Sequence, residues 1–407
     1  MTGEVDKPAV LVVTEVPFWR GRSGAHERIA ALVRTMQRAG HPVCVFYHTM
    51  RYPGERAAFR RDFPDVGFAR PALPMLLLRG LRRRLGLRFP DETGDEPPAW
   101  ERRYVLQSLC LLWQPPFVIV EYLRSAYLVE GLQAALEEPP VLMLDTHDVM
   151  HLREAHLGAK GEPGTTRLSR DAEAAMLARF DVLLAIQEEE ARTLREMCPD
   201  TPVITVGHGH AVKPPRFRET ACVRLVFVAA AGMHNHAAID RFLRDVWPPL
   251  RQRHGDGVEL HIAGALCKTL DASALPQGVI LRGFVANLDA FYAEGDIAVN
   301  PVFAGSGLKI KNVEALCHGL PLVTTPIGAQ GLDAGAGSAF AVGDSPEALI
   351  AALDDLIAHP AARRALAECA HTFAKEHLSE EKAYGPLVDL LEQDMATAPG
   401  KCSEKKI

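Results

Sequence analysis

Between Gly305 and Leu332 the chain reads GSGLKIKNVEALCHGLPLVTTPIGAQGL, two lysines and a glutamate in a glycine-rich turn that runs into a helical pattern. Amides at a helix start, with the helix dipole behind them, favour an anion, and Gly305, Ser306 and Gly307 are small enough for close backbone approach. Lys309 and Lys311 add positive charge, although two positions apart on a helix they point in different directions, so both need not serve one ligand. Lys311 and Glu314 are three apart and share a face. A carboxylate and a cation beside an anion-binding turn suit a ligand whose vicinal hydroxyls adjoin phosphates, such as the ribose of a nucleoside diphosphate. A surface ion pair worth about 0.2–0.5 kcal/mol fits the same spacing.

Other patterns carry less. HDVMH, His147 to His151, resembles H-E-x-x-H with aspartate for glutamate, and His156 follows. A zinc site needs both histidines on one helical face, whereas His147 closes the strand-like run VLMLD, so zinc hydrolysis is disfavoured. The short pairs His208/His210 and His234/His236 fall in loop-like sequence. GAQGLDAGAGS lacks the G-x-G-x-x-G spacing of a dinucleotide fingerprint, which argues against an oxidoreductase.

The elements that must position these residues alternate. AVLVVTEV (Ala9 to Val16) reads as a buried strand, HERIAALVRTMQRAG (His26 to Gly40) as a helix and HPVCVFYH (His41 to His48) as a strand. FVIVEYL, PVLMLDTHD, DVLLAIQ and TPVITVGHG continue the strand series up to Gly209. Charged, proline-containing AVKPPRFRETAC (Ala211 to Cys222) interrupts the rhythm and reads as an interdomain linker. The alternation restarts with strand VRLVFVAAAG, helix HAAIDRFLRDVWPPLRQRH, and strands VELHIAG, GVILRGFV, DIAVNPV and LPLVTTP. Continuous apolar strands separated by helices predict an α/β fold of two doubly wound, Rossmann-like domains facing a central cleft, over 1–213 and 214–380. The amphipathic stretch 381–396 is expected to pack back on the first domain.

A 407-residue chain exceeds what one core usually serves, and 24% charged residues with net charge -6 gives no push towards nucleic acid. Eight scattered cysteines without a C-x-x-C pair read as reduced thiols, and MTGEVDKPAVLVVTEVPF reads as a strand after an acidic start and not as a signal peptide, so a cytoplasmic protein is expected. In MLLLRGLRRRLGLRFP (75–90), five arginines interleave with leucines. Such a segment can lie on an anionic membrane on its cytoplasmic face or meet an anionic acceptor; a solvated helix with inward leucines fits equally.

NPVFAGSGLKIKNVEALCHGLPLVTTPIGAQGL closely resembles the donor-binding segment of family 4, group 1 retaining glycosyltransferases of the GT-B fold. VPFWRGRSGAHERIAALVRTMQRAGHPVCVF, VFVAAAGMHNHAAIDRFLRDVWPPL and LRGFVANLDAFYAEGDIAVNPV resemble other segments of that family in order, so the resemblance covers nearly the whole chain. It implies a hexosyltransferase of polysaccharide biosynthesis that uses a UDP- or GDP-linked sugar, with no metal or other cofactor. The acceptor is a glycan, lipid-linked or protein hydroxyl bound on the first domain. Glu314 is expected to accept from the ribose hydroxyls. The amides of Gly307, Leu308 and Lys309, with Gly232 and the turn Gly21 to Gly24, would hold the diphosphate. Backbone around Gly283, Phe284 and Val285 would meet the base, and His147 the sugar. Catalysis would rest on His147, Lys309 and Lys311. Two departures stand out. Ser306 occupies the place of a frequent donor-binding glutamate, and AAAGMHNHAA lacks a frequent Arg and Lys, a loss Lys309 and Lys311 can make good from the other side. A non-catalytic GT-B-like subunit and a sugar-nucleotide epimerase or hydrolase are the rival readings.

Overall fold

The computed structural model describes residues 7–21, 24–49, 54–70, 99–152, 168–218, 220–305 and 307–393. Two all-parallel sheets organise them. The first has seven strands: β1 (Val10–Thr14), β2 (Val43–Tyr47), β3 (Gly67–Ala69), β4 (Phe117–Glu121), β5 (Val141–Asp145), β6 (Val182–Ala185) and β7 (Val203–Thr205), in the order β3-β2-β1-β4-β5-β6-β7. The second has six: β8 (Val223–Val228), β9 (Val258–Ala263), β10 (Val279–Gly283), β11 (Ile297–Asn300), β12 (Leu322–Thr324) and β13 (Ala341–Val342), in the order β10-β9-β8-β11-β12-β13. Every residue of β1 and β4 is buried, which is why these strands read as unbroken apolar runs rather than as alternation. Each sheet reverses its winding once, beside β1 and β4 or beside β8 and β11, and the strand ends at those reversals form the crevice where open α/β sheets bind ligands.

Helices cover both faces. Helix Gly24–Arg38 turns Ile29, Leu32, Val33 and Met36 onto the first sheet. Helix Glu380–Glu392 joins the same core through Tyr384, Leu387 and Leu391, so the end of the described chain returns to the first half. Ser379 caps it by accepting from the Lys382 amide at 3.3 Å. The helix expected at 236–254 instead runs from Met233 to His254 through a π turn at Phe242–Val246. That turn precedes Pro248 and Pro249, which carry no amide proton to continue the helical ladder. The described part of 211–222 is neither strand nor helix; Lys213 ties it to the second half through its amide, 2.7 Å from the Cys317 carbonyl oxygen, and an ion pair with Asp289.

The basic stretch 75–90, Ser306 and His156 lie outside the described residues. Among the described residues, no helix is long and apolar enough to cross a membrane.

Candidate active site

On the second half, the site begins where β11 ends. Asn300 donates to Asn312 Oδ1 at 2.9 Å, and Asn312 donates to the Gly328 carbonyl oxygen at 2.8 Å, so two buried amides pin helix Ile310–Cys317 beneath its own entry loop. Lys309 takes the N-cap position with extended backbone, one residue ahead of the helix. The lysines therefore do not diverge as two helical positions would, and both line the cleft. Gly307 has φ +76°, and a Cβ there would lie 3.2 Å from Asp148 Oδ1 and 3.4 Å from Glu190 Oε1, so this turn needs glycine for both conformation and space.

Lys311 Nζ donates to Asn235 Oδ1 at 2.7 Å and sits 4.7 Å from the centre of the Phe227 ring. Glu314 is 6% exposed and accepts from the Tyr292 hydroxyl at 3.0 Å, which excludes a solvated surface ion pair. Burial pushes Lys311 down to about 7, helped by Lys309 and opposed by Glu314. It pushes Lys309 down to about 8 against Asp148 and Glu190. Burial also drives Glu314 up to about 7.

The first half supplies the opposite wall. His147 follows β5 with φ +60°, a strained conformation for a non-glycine residue, and stacks on Tyr122 (φ +69°) at 3.8 Å between ring centres and 7° between planes. Its Nε2 meets Glu121 Oε2 at 2.7 Å and Asp145 Oδ2 at 3.6 Å. Arg28 holds both oxygens of Asp145 at 2.8 and 2.7 Å and also donates to the carbonyls of Val206 and Gly207. Burial pushes His147 down to about 4, so the ring is neutral at ordinary pH.

These walls enclose a cavity of about 750 Å³. It brings together Gly21, Gly24, His147, Phe284, Val285, Gly307, Leu308, Lys309, Lys311 and Glu314. Gly232 and Gly283 do not line it. Gly232 is spent capping helix Met233–Arg241 and Gly283 accepts from the Gly264 amide at 2.8 Å, so Ala230, His234, Asn235 and Phe284 form those parts of the wall. Sequence reading missed Glu27 in the first turn of its helix, Asn235, Asp148 and Lys268, all of which line the cavity. Helical spacing alone could have put Glu27 near the cleft; the others depend on the meeting of distant segments. Phe18 and Trp19 are core residues packed edge to face with Phe59.

Among the described residues, Glu121, Asp145 and His147 are the trio whose ligand atoms lie within 4.8 Å of one another. The Arg28 guanidinium already occupies both Asp145 oxygens, placing a fixed cation where a metal would need the ligand, so this set does not fit an ion. His151 is held by Glu173 at 2.7 Å, turned to a different partner from His147, which rules out a shared zinc between them.

Comparison with known proteins defines the class. Residues 23–209 match the "Glycosyl transferase 4-like domain" and residues 223–359 match "Glycosyl transferases group 1". The chain belongs to the family 4, group 1 glycosyltransferases of the GT-B fold. No curated protein sequence matches it. Among solved structures it is similar to sucrose-phosphate synthase from Thermosynechococcus elongatus (12% identity, 95% of this chain and 99% of that one, TM-score 0.69). It is also similar to a point mutant of S. aureus TarM in complex with Fondaparinux, alpha-GlcNAc-glycerol and UDP (10%, 95% and 100%, 0.68). A third is Anabaena Alr3699/HepE in complex with UDP and glucose (12%, 95% and 100%, 0.67). At these identities the likeness shows the fold, two Rossmann-like domains around a cleft.

Proposed function

We propose that the cleft binds a nucleoside diphosphate sugar and transfers its sugar, a hexose, to a hydroxyl acceptor with retention of anomeric configuration. One observation carries this reading: Lys309, Lys311, Glu314 and the Gly307 turn from the second half meet His147 from the first around a single cavity. The half 214–380 is the donor domain, and 1–213, with the returning C-terminal helix, is the acceptor domain. Glu314 accepts from the ribose hydroxyls, and the amides of Gly307 and Leu308 with the two lysines hold the diphosphate. Asn235 and His234 take the part expected of Gly232 beside the diphosphate, and Phe284 and Val285 meet the base. The uridine complexes of two similar structures support UDP as the first nucleotide to try.

As the sugar–phosphate bond breaks, the leaving diphosphate gains negative charge, which preorganised amides and lysines stabilise. The leaving phosphate takes the acceptor's proton on the same face, which gives retention without a dedicated base or a metal ion. Closure of the two halves around the donor limits its hydrolysis. The acceptor is a glycan, lipid-linked or protein hydroxyl, and segment 75–90 is the proposed contact with an anionic membrane at its cytoplasmic face.

The test is thermal stabilisation of wild type and Glu314→Ala by UDP, GDP, ADP and CMP, since a ligand of the folded state raises stability by mass action. A concentration-dependent rise with one nucleotide, reduced in the variant, is expected. No rise with any of them at millimolar concentration would count against the transferase site and favour a non-catalytic subunit. Product analysis with and without acceptor then separates transfer from epimerisation or hydrolysis.

A further inference from the structure

Behind His147 stands a chain of buried groups that the transfer step leaves unused. We propose that Glu121 is a positioning residue: it holds the His147 ring through Nε2 and so makes Nδ1, as a hydrogen-bond acceptor, the nitrogen that meets the transferred sugar. The inference rests on the donor reading of the cleft and adds the polarity of one contact within it.

The geometry is directional. Glu121 closes β4, Asp145 closes β5, and the two are register partners, so the strand pairing places their carboxyls side by side under the ring. Glu121 Oε2 lies 2.7 Å from Nε2, and Glu121 is fully buried. Nδ1 has no hydrogen-bond partner among the described residues, and His147 lines the cavity. Stacking on Tyr122, which is itself covered by the Arg124 guanidinium 4.0 Å from its ring centre, stops the ring from rotating away.

The protons can be followed. Arg28 neutralises Asp145 with two hydrogen bonds and keeps it ionised, its carboxyl held below the usual range. A second charge beside it in a sealed site is unfavourable, and burial with the Asp145 charge raises Glu121 well above the carboxylate range. A protonated Glu121 has two acceptors in reach, the Asp145 carboxylate and Nε2 of the ring; the charged carboxylate is the stronger, and a proton on Oε1 given to it accounts for Oε1 being a buried oxygen with nothing to accept from. Oε2 is then left as an acceptor and takes the proton of Nε2–H. A neutral imidazole bonded that way presents its lone pair at Nδ1. The charged or titratable groups facing the ring are Glu121, Tyr122, Asp145, Asp148, Arg28 and Arg124.

The experiment is a two-bond ¹H–¹⁵N correlation spectrum of histidine-labelled full-length protein, with the His147 signals assigned by their loss in His147→Gln. Wild type should show a protonated Nε2 and a bare Nδ1, neutral from pH 8 down to pH 5. Glu121→Gln offers the same acceptor without charge and should keep that pattern. Glu121→Leu should move both nitrogens towards a tautomer mixture and lower kcat roughly tenfold or more. Its binding of free UDP, which has no sugar to meet Nδ1, should change less than twofold. Glu121→Gln should restore much of the lost kcat. A protonated Nδ1 in wild type overturns the proposal, as does a Leu variant with unchanged His147 signals. Should the Leu variant fail to fold, the wild-type and Gln spectra still decide. Failure of the donor reading shows elsewhere, as absence of stabilisation by any nucleoside diphosphate in wild type.

Discussion

Binding of UDP is expected to draw protons from solution and to weaken steeply above neutral pH. In the free protein burial holds Lys311 at about 7 and Lys309 at about 8. A bound diphosphate supplies strong countercharge, so both lysines are cationic in the complex. At pH 8 roughly nine-tenths of a proton enters Lys311 and half of one enters Lys309, about 1.4 protons per UDP. At pH 9 recharging costs about 2.7 kcal/mol at Lys311 and about 1.4 kcal/mol at Lys309, while at pH 6 ionising Glu314 for the ribose costs about 1.4 kcal/mol, so affinity should fall by about 2.7 kcal/mol, on the order of a hundredfold, from pH 6 to pH 9. The sign is fixed: a lysine depressed in the free protein and restored in the complex favours binding below its depressed value and opposes it above. Between pH 7 and 9 the terminal phosphate of UDP already carries its full charge, its second ionisation lying near 6. Calorimetric titration at pH 8 in two buffers of different ionisation enthalpy gives the proton number directly. Zero or negative uptake, or an affinity flat from pH 7 to 9, would refute the assignment of these lysines to the diphosphate.

Lys311→Met should cut both UDP affinity and proton uptake at pH 8, the latter to about half a proton, from Lys309 alone; if neither lysine variant weakens binding, the diphosphate is held elsewhere. Glu314→Gln should weaken UDP by about tenfold but weaken a dideoxyribose analogue far less, because a charged acceptor adds about 1.5–3 kcal/mol only when hydroxyls are there to donate; equal losses for both ligands would remove the ribose assignment. Arg28→Leu leaves the Asp145 charge without its cation and two carbonyls without donors in a sealed core, and about 3–5 kcal/mol of stability, a fall in Tm on the order of 10 °C, should follow. Gly264→Ala forces a residue with φ +103° to carry a Cβ 2.3 Å from the Ala229 carbonyl oxygen, so denaturant unfolding should show a loss of roughly 2 kcal/mol or more.

Much of the fold could be read from the chain because its decisive signals are local. β1 and β4 announce themselves as apolar runs, and the strand–helix rhythm with its pause after Gly209 leads to two sheets. Strands β3 and β13, of three and two residues, carry no pattern long enough to detect. That one wall of the cavity came together was legible for a similar reason: Gly307, Lys309, Lys311 and Glu314 fall within eight residues, and the helix that follows fixes their spacing. Glu121, Arg28 and Asp145 could not be seen, since their meeting depends on strand order, with Arg28 separated from Asp145 by 117 residues. Asn235 escaped notice because its stretch read as a histidine-rich loop whose histidines drew attention instead, yet it opens a helix and its side chain accepts from Lys311.

The two walls manage buried charge in opposite ways, and that difference fits their proposed tasks. Behind His147 four titratable groups leave no net charge: Arg28 cancels Asp145, Glu121 keeps its proton and the imidazole stays neutral. Such a wall is rigid and polar, suited to meeting an uncharged sugar in one orientation. Across the cavity, Lys309, Lys311 and Glu314 are balanced near neutrality, at about 8, 7 and 7. A group at its own pKa changes charge for about 0.4 kcal/mol, RT ln 2, whereas one displaced by three units costs about 4 kcal/mol. The empty donor wall therefore avoids carrying two fully charged buried cations, and the arriving diphosphate creates them at little cost where its charge requires them. In the proposed reaction the leaving nucleotide carries more negative charge than the donor, so lysines that held the donor diphosphate would hold product more tightly than substrate. Nucleotide release is then the step most sensitive to pH, and raising the pH should speed it even as it weakens binding.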